Sequence, residues 1–215
     1  MLRDWFKHSF AEHEIRDRWR IEKHLIQPGE IDNYPDYSKI LFIRDPFRRL
    51  VSFYCQWVVG DDRLWCFADD EKNHSLHGKS FSEFLGILED LADRGLAFQH
   101  HLEPQMNNVG DVQFDLVIAV EQLKAQLTKV NEELGIEHQV TMFNATPYDE
   151  TLTTFAYDAS PESLARKGIP RYQYFYSPDL AGKVERLYRE DLDCYRAFHD
   201  DSALFKKQVS ARELA

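Results

Sequence analysis

The sequence predicts an α/β protein, a mainly parallel sheet covered by helices. Three observations carry that prediction. Ile40-Leu41-Phe42-Ile43 is continuously apolar, as a strand buried on both faces requires, and it ends at Arg44. A second run, Phe114 to Val120, is another candidate for a buried strand. Amphipathic helical segments lie between and after the two runs, so strands and helices alternate.

The elements follow in order. Leu2, Trp5, Phe6 and Phe10 stand at helical spacing, so residues 2–12 read as an amphipathic helix. Residues 28–38 hold Pro28, Gly29, Asn33, Pro35 and Asp36 and read as a loop. After the strand at 40–43, Asp45 is suited to cap a helix, and Pro46 suits its first position, where no backbone N–H is needed. Residues 60–79, rich in Asp, His and Gly, read as a long surface loop. Ser80 and Glu83 form a capping-box pair for a helix to Asp93, with Phe81, Phe84, Leu85, Leu88 and Leu91 as its apolar face. The strand at 114–120 is followed by a helix from Glu121 to Leu134, closed by Gly135. Ser177 and Pro178 open a last long helix whose buried stripe is Leu180, Val184, Leu187 and Tyr188. No internal repeat or low-complexity segment occurs.

Composition narrows the class. A chain of 215 residues suits one domain over 1–215 with a substantial core. Hydrophobic residues at 43% and aromatics at 13% indicate a globular protein. A net charge of −11 argues against nucleic-acid binding, while a small anionic ligand needs only a few local cations. Cys55, Cys66 and Cys194 match no metal spacing and form no complete disulfide framework, which fits a reducing compartment. No stretch approaches the ~18–20 apolar residues of a membrane span, and no signal segment follows Met1. The expectation is a soluble, cytoplasmic chain.

The informative unit is strand, tight turn, helix, with a cation at the strand's C-terminal end. Open α/β sheets bind ligands there, and a helix N-terminus favours an anion. Ser52 follows Arg44 by eight residues, about two turns into the helix. A guanidinium and a hydroxyl at this offset can both reach one phosphate.

Arg44-Asp45-Pro46-Phe47-x-Arg49-Leu50-Val51-Ser52-x-Tyr54 resembles the 3′-phosphate-binding motif of sulfotransferases, in the carbohydrate (Golgi-type) family 2 form. Those enzymes use 3′-phosphoadenosine 5′-phosphosulfate (PAPS). His101-Leu102-Glu103-Pro104-Gln105, the stretch from Phe114 to Leu123 and the segment Tyr176 to Phe198 are also similar to family stretches, so the resemblance spans 40–198. It implies a P-loop-NTPase-like parallel sheet flanked by helices. It also implies metal-independent transfer of a sulfuryl group from PAPS to a hydroxyl of a carbohydrate or related acceptor. In the family, a first strand runs into a Lys-containing loop that cradles the 5′-phosphosulfate. Leu2-Arg3-Asp4-Trp5-Phe6 resembles the helix after that loop, and no Gly-x-x-x-x-Gly-Lys occurs. The chain is therefore expected to lack the first strand and the phosphosulfate loop. Golgi relatives carry an upstream anchor, and with one the location would be the Golgi lumen.

The resemblance assigns Arg44 and Ser52 to the 3′-phosphate. Arg166-Lys167-Gly168 is similar to the Arg-Lys-Gly loop with which cytosolic sulfotransferases close over that phosphate; an exposed basic turn is the alternative. His24, in Glu-Lys-His-Leu-Ile-Gln-Pro, resembles the histidine of the Lys-Thr-His-Leu-Pro segment of cytosolic members and is a candidate base. His101 and His100 are alternatives, and Glu121 either orients a base or sits at the next helix start. Of Arg48 and Arg49, one is expected to face solvent and the other to pair with an acidic neighbour. Asn144-Ala145-Thr146 matches a glycosylation sequon and reads as chance. Tyr172, Tyr174, Phe175 and Tyr176 could stack on an adenine or sugar, with core packing expected for at least half of them. Two other classes stay open: a non-catalytic nucleotide-binding or interaction protein with a degenerate form of this fold, and a small-molecule P-loop kinase. The acceptor, set by loops such as 60–79, is not readable.

Overall fold

A computed structural model of the chain describes residues 39–60, 76–96, 98, 101–109, 112–134, 146–199 and 209–210, with Glu30 and Asn33 as single positions. In chain order the elements are β1 (Ile40–Ile43), α1 (Pro46–Tyr54), α2 (Phe81–Asp93), β2 (Gln113–Phe114), β3 (Leu116–Ala119), α3 (Leu123–Leu134), α4 (Pro161–Lys167), α5 (Pro178–Leu187), α6 (Arg189–His199) and β4 (Val209–Ser210). Contacts group them into two compact units. One, the sheet unit, holds β1, β2, β3, β4 and α3; the other, the helical unit, covers Arg44–Asn107 and Thr146–Cys194.

In the sheet unit, β1 and β3 pair in parallel, from Ile40 opposite Leu116 to Ile43 opposite Ala119. Every β3 residue is buried, which is why that run is apolar without alternation. The single strand expected from Phe114 to Val120 is broken at Asp115. Its carboxylate accepts the Lys39 N–H at 2.8 Å, and its own N–H donates to the Lys39 carbonyl at 2.9 Å. This turn-like exchange splits off β2, which pairs antiparallel with β4. Val120 leaves the strand into a 3-10 turn, so the helix expected from Glu121 begins at Leu123. Gln126 of α3 accepts the Ala119 N–H at 3.0 Å and closes the end of β3. The core here is Leu116, Ile118, Leu123, Leu127 and Val130, with Ile40 and Phe42 packed against it.

In the helical unit, α1 turns Leu50, Val51, Phe53 and Tyr54 inward and continues as a π-helical turn, Cys55–Val59. The Ser80–Glu83 capping box forms in both directions, and the buried stripe of α2 is the one its periodicity predicts. Aromatic rings fill the centre: Phe53 stacks on Phe84 at 5.8 Å, and Phe81 meets Phe175 edge-on at 5.3 Å. Glu89 of α2 pairs with both Lys183 and Arg186 of α5. Helix α4 is unanticipated. It carries the same Ser-Pro start as α5, but its seven residues hold too few apolar positions to show a period. The long helix expected after Ser177 is two helices. Tyr188 breaks it with φ −125° and ψ 34°, and its hydroxyl donates to the Leu102 carbonyl at 2.8 Å. Of the expected aromatic run, Phe175 is fully buried, and Tyr176 packs edge-on against Phe47 and Phe81.

The expected helix at 2–12, the loop at 28–38 apart from Glu30 and Asn33, most of the loop at 60–79, Gly135 and Cys66 lie outside the described residues. Among those described, no helix is long and apolar enough to cross a membrane.

Ser80→Ala should lower stability by about 1 kcal/mol, read as a shifted urea midpoint at unchanged slope. The hydrogen bond from Lys79, and then the one from the Ser80 N–H, hold the Glu83 carboxyl down to about 2, against an ordinary value of 4.5. Its ionised contacts therefore stabilise the fold above about pH 4.5 and are lost as pH falls toward 2. Glu83→Gln should flatten the stability profile in that acid window.

Candidate anion-binding site

The site is built on the first turns of α1. Asp45, buried, accepts the Phe47 N–H on its carboxylate at 3.0 Å, and its carbonyl accepts the Arg49 N–H at 2.9 Å. The negative charge favoured at this helix N-terminus is thus already supplied by the chain. An anionic ligand here has to be met by side chains. Arg48 lies 3.7 Å from the Asp45 carboxylate and 4.6 Å above the Tyr172 ring. Ser52 follows four residues later on the same face of α1.

Arg44 is half-buried, with its Nε shut off from solvent. Its main chain is gripped by one carboxamide. Gln105 Oε1 accepts the Arg44 N–H at 3.0 Å, and Gln105 Nε2 donates to the Arg44 carbonyl at 2.9 Å. Behind Gln105 stands Asp191, which has no exposed surface. Its carboxylate accepts the Gln105 N–H at 2.8 Å, Gln105 Nε2 at 3.3 Å and the Met106 N–H at 2.9 Å. Arg49 supplies the countercharge, with Nη1 at 3.7 Å from the same carboxylate and Nη2 donating to the Glu103 carbonyl. Both arginines after the motif's first thus have acidic partners: Arg48 a local one, and Arg49 one far away in sequence.

Ser52 faces a second hydroxyl. Thr146 Oγ1 donates to Ser52 Oγ at 3.3 Å. The sequon read as chance therefore ends in a threonine that touches a candidate site residue; Asn144 and Ala145 lie outside the described residues. Two positions on, burial pushes the Tyr148 phenol above the ordinary tyrosine range, and Cys55 adds to this. A hydrogen bond with Thr146 and the charges of Arg44 and Arg48 oppose it. Arg44, Arg48, Ser52, Thr146 and Tyr148 are thus gathered in one polar neighbourhood of two guanidiniums and three hydroxyls.

Arg166 and Lys167 end α4, both exposed, and Gly168 follows at φ +100°. The backbone at Gly168 favours glycine, and an added Cβ would stand 3.2 Å from Leu152 Cδ1 and 3.4 Å from Asp149 Oδ2, side-chain ends that would have to give a little. The Asp149 N–H donates to the Ile169 carbonyl at 2.7 Å, and Tyr148 bridges Ile169 in parallel. The basic turn is therefore tied by backbone to the segment that carries Tyr148. His101 is exposed and stacks on Trp57 at 6.1 Å. His24 and His100 lie outside the described residues. Glu121 sits in the 3-10 turn of the sheet unit that leads into α3. Burial pushes the thiols of Cys55 and Cys194 up to about 12, so both stay protonated at neutral pH. Among the described residues, no group of three or more His, Cys, Asp and Glu is placed to hold a metal.

Gln105, Asp191 and Thr146 are residues the sequence did not assign to the site; Thr146 stands there only as the end of a sequon. Gln105 stands inside a stretch already similar to the family's, which was its one signal. A sequence model described as the sulfotransferase family matches residues 5–198. No curated protein and no solved structure matches the chain.

Asp191→Ala should cost about 3–5 kcal/mol in chemical denaturation, because it strands the Arg49 charge and the N–H donors of part-buried Gln105 and buried Met106. Asp193→Ala, on the exposed side of the same helix, should change stability by less than about 0.5 kcal/mol.

Proposed function

The chain belongs to the sulfotransferase family, and we propose from that membership that it transfers a sulfuryl group from PAPS to a hydroxyl of a carbohydrate or related acceptor. The observation that carries this reading is the Thr146 hydroxyl, which bonds to Ser52 of α1 and to Tyr148, a phenol that also feels the charges of Arg44 and Arg48. A terminal phosphate is a compact anion with several acceptor oxygens. A guanidinium gives it charge-assisted hydrogen bonds, and hydroxyls supply further donors. On this reading Arg44, Ser52 and Thr146 receive the 3′-phosphate of the nucleotide. Arg166, Lys167 and Gly168 close over it, and β1 and β3 belong to a P-loop-NTPase-like sheet.

The transfer forms a bond from the acceptor oxygen to sulfur as the bond from sulfur to the 5′-phosphate oxygen breaks. The acceptor's proton passes to a base, and adenosine 3′,5′-bisphosphate leaves. His24 is the first candidate for that base, with His101 or His100 as the alternative. A cation placed on the 3′-phosphate fixes the donor's position; it does not touch the reacting atoms.

In calorimetry, adenosine 3′,5′-bisphosphate should bind the wild-type chain, and Arg44→Ala should weaken it roughly ten- to hundredfold. Ser52→Ala should weaken it less. A wild-type chain that ignores the nucleotide ends this reading. Labelled sulfate should pass from PAPS to a member of a glycan panel; binding without transfer is the outcome expected of a non-catalytic relative. His24→Ala should abolish turnover with nucleotide affinity nearly intact, and unchanged turnover would move the role to His101 or His100.

A further inference from the structure

We infer that Gln105, held in place by Asp191, is a positioning residue for Arg44 and sets the preference of the site for a nucleotide that carries a 3′-phosphate. The inference rests on the reading just given, in which Arg44 meets that phosphate. Its ground is the hydrogen bonding of one carboxamide. The Oε1 of Gln105 faces a single donor, the Arg44 N–H at 3.0 Å. The Nε2 faces two acceptors, the Arg44 carbonyl at 2.9 Å and Asp191 Oδ2 at 3.3 Å. Turned over, the amide would set its oxygen against two oxygens and its NH2 against an N–H. Only one orientation is possible, and a carboxylate without any exposed surface enforces it.

The consequence falls on the Arg44 backbone. Both its main-chain polar groups are held by one side chain, as a neighbouring strand would hold them. Asp45 and Pro46, capping α1, pin the chain on the other side. The direction of the Cα–Cβ bond of Arg44 is therefore set from both sides. A long side chain magnifies any main-chain rotation at its tip, and a binding constellation has to be held within about 0.5 Å. Gln105 touches no ligand in this scheme. It acts through the main chain of the residue that does.

The test compares two nucleotides, adenosine 3′,5′-bisphosphate and adenosine 5′-monophosphate, on the full chain by calorimetry, with melting temperatures alongside. Gln105→Met keeps the length of the side chain and removes both hydrogen bonds to Arg44. Its preference for the bisphosphate should shrink by about tenfold or more, while monophosphate affinity stays within about twofold of wild type. Should Gln105→Met melt too low to assay, Gln105→Asn keeps the polarity but is one methylene too short to span both groups, and the same loss is expected. An undiminished preference in the assayed variant overturns the inference and leaves the reading of Arg44 standing. So does an equal loss for both nucleotides, which a merely structural role would produce. A wild-type chain without any preference for the bisphosphate overturns the reading of Arg44, and this inference with it.

Discussion

Asp191 is a carboxylate with no contact with water, and a buried charge is tolerated only when its oxygens are filled and its charge is matched. The helical unit meets both demands from distant parts of the chain. Two main-chain N–H groups and one carboxamide come from Gln105 and Met106, and the countercharge comes from Arg49 of α1. Satisfying this one group therefore brings together α6, the 101–106 turn and the helix that follows Arg44. Tyr188 reinforces the arrangement. Its hydroxyl reaches the Leu102 carbonyl, and its ring lies beneath the Arg49 guanidinium at 5.4 Å.

The cap at Asp45 separates two jobs within the strand–turn–helix motif. The helix N-terminus is occupied by Asp45, so it serves the fold. The cationic and hydroxyl groups lie further along the same face and beside it, in Arg44, Arg48, Ser52 and Thr146. On the proposed reading, an anion here would be met by side chains held on a fixed backbone, since the Asp45 carboxylate already occupies the helix N-terminus.

Local signals were legible in the sequence where local physics decides. The capping box at Ser80, the proline starts at Pro46 and Pro178, and the apolar strand at Ile40 all stand where their residue types put them. The misses share a cause. Asp115 interrupts a strand where it bonds to Lys39, and a helix is interrupted at Tyr188, whose hydroxyl bonds to Leu102; neither is a glycine or a proline, and each partner is more than seventy residues away. The site divides the same way. Arg44 and Ser52 belong to a contiguous motif. Gln105, Asp191 and Thr146 enter through contacts for which the chain offers no spacing rule.

The span of those contacts bears on how the protein comes to be folded. Gln105 reaches Arg44 across 61 positions, Asp191 reaches Gln105 across 86, and Thr146 reaches Ser52 across 94. Each requires a long loop to close before any bond rewards it, and contacts of that order set the slow end of folding. Helices such as α2, with both caps local, can form well before. The polar grip on Arg44 can therefore close only once these distant segments have met, and its geometry is complete only when the helical unit is. A partly folded chain would already hold most of its helices and still present an arginine with no fixed direction.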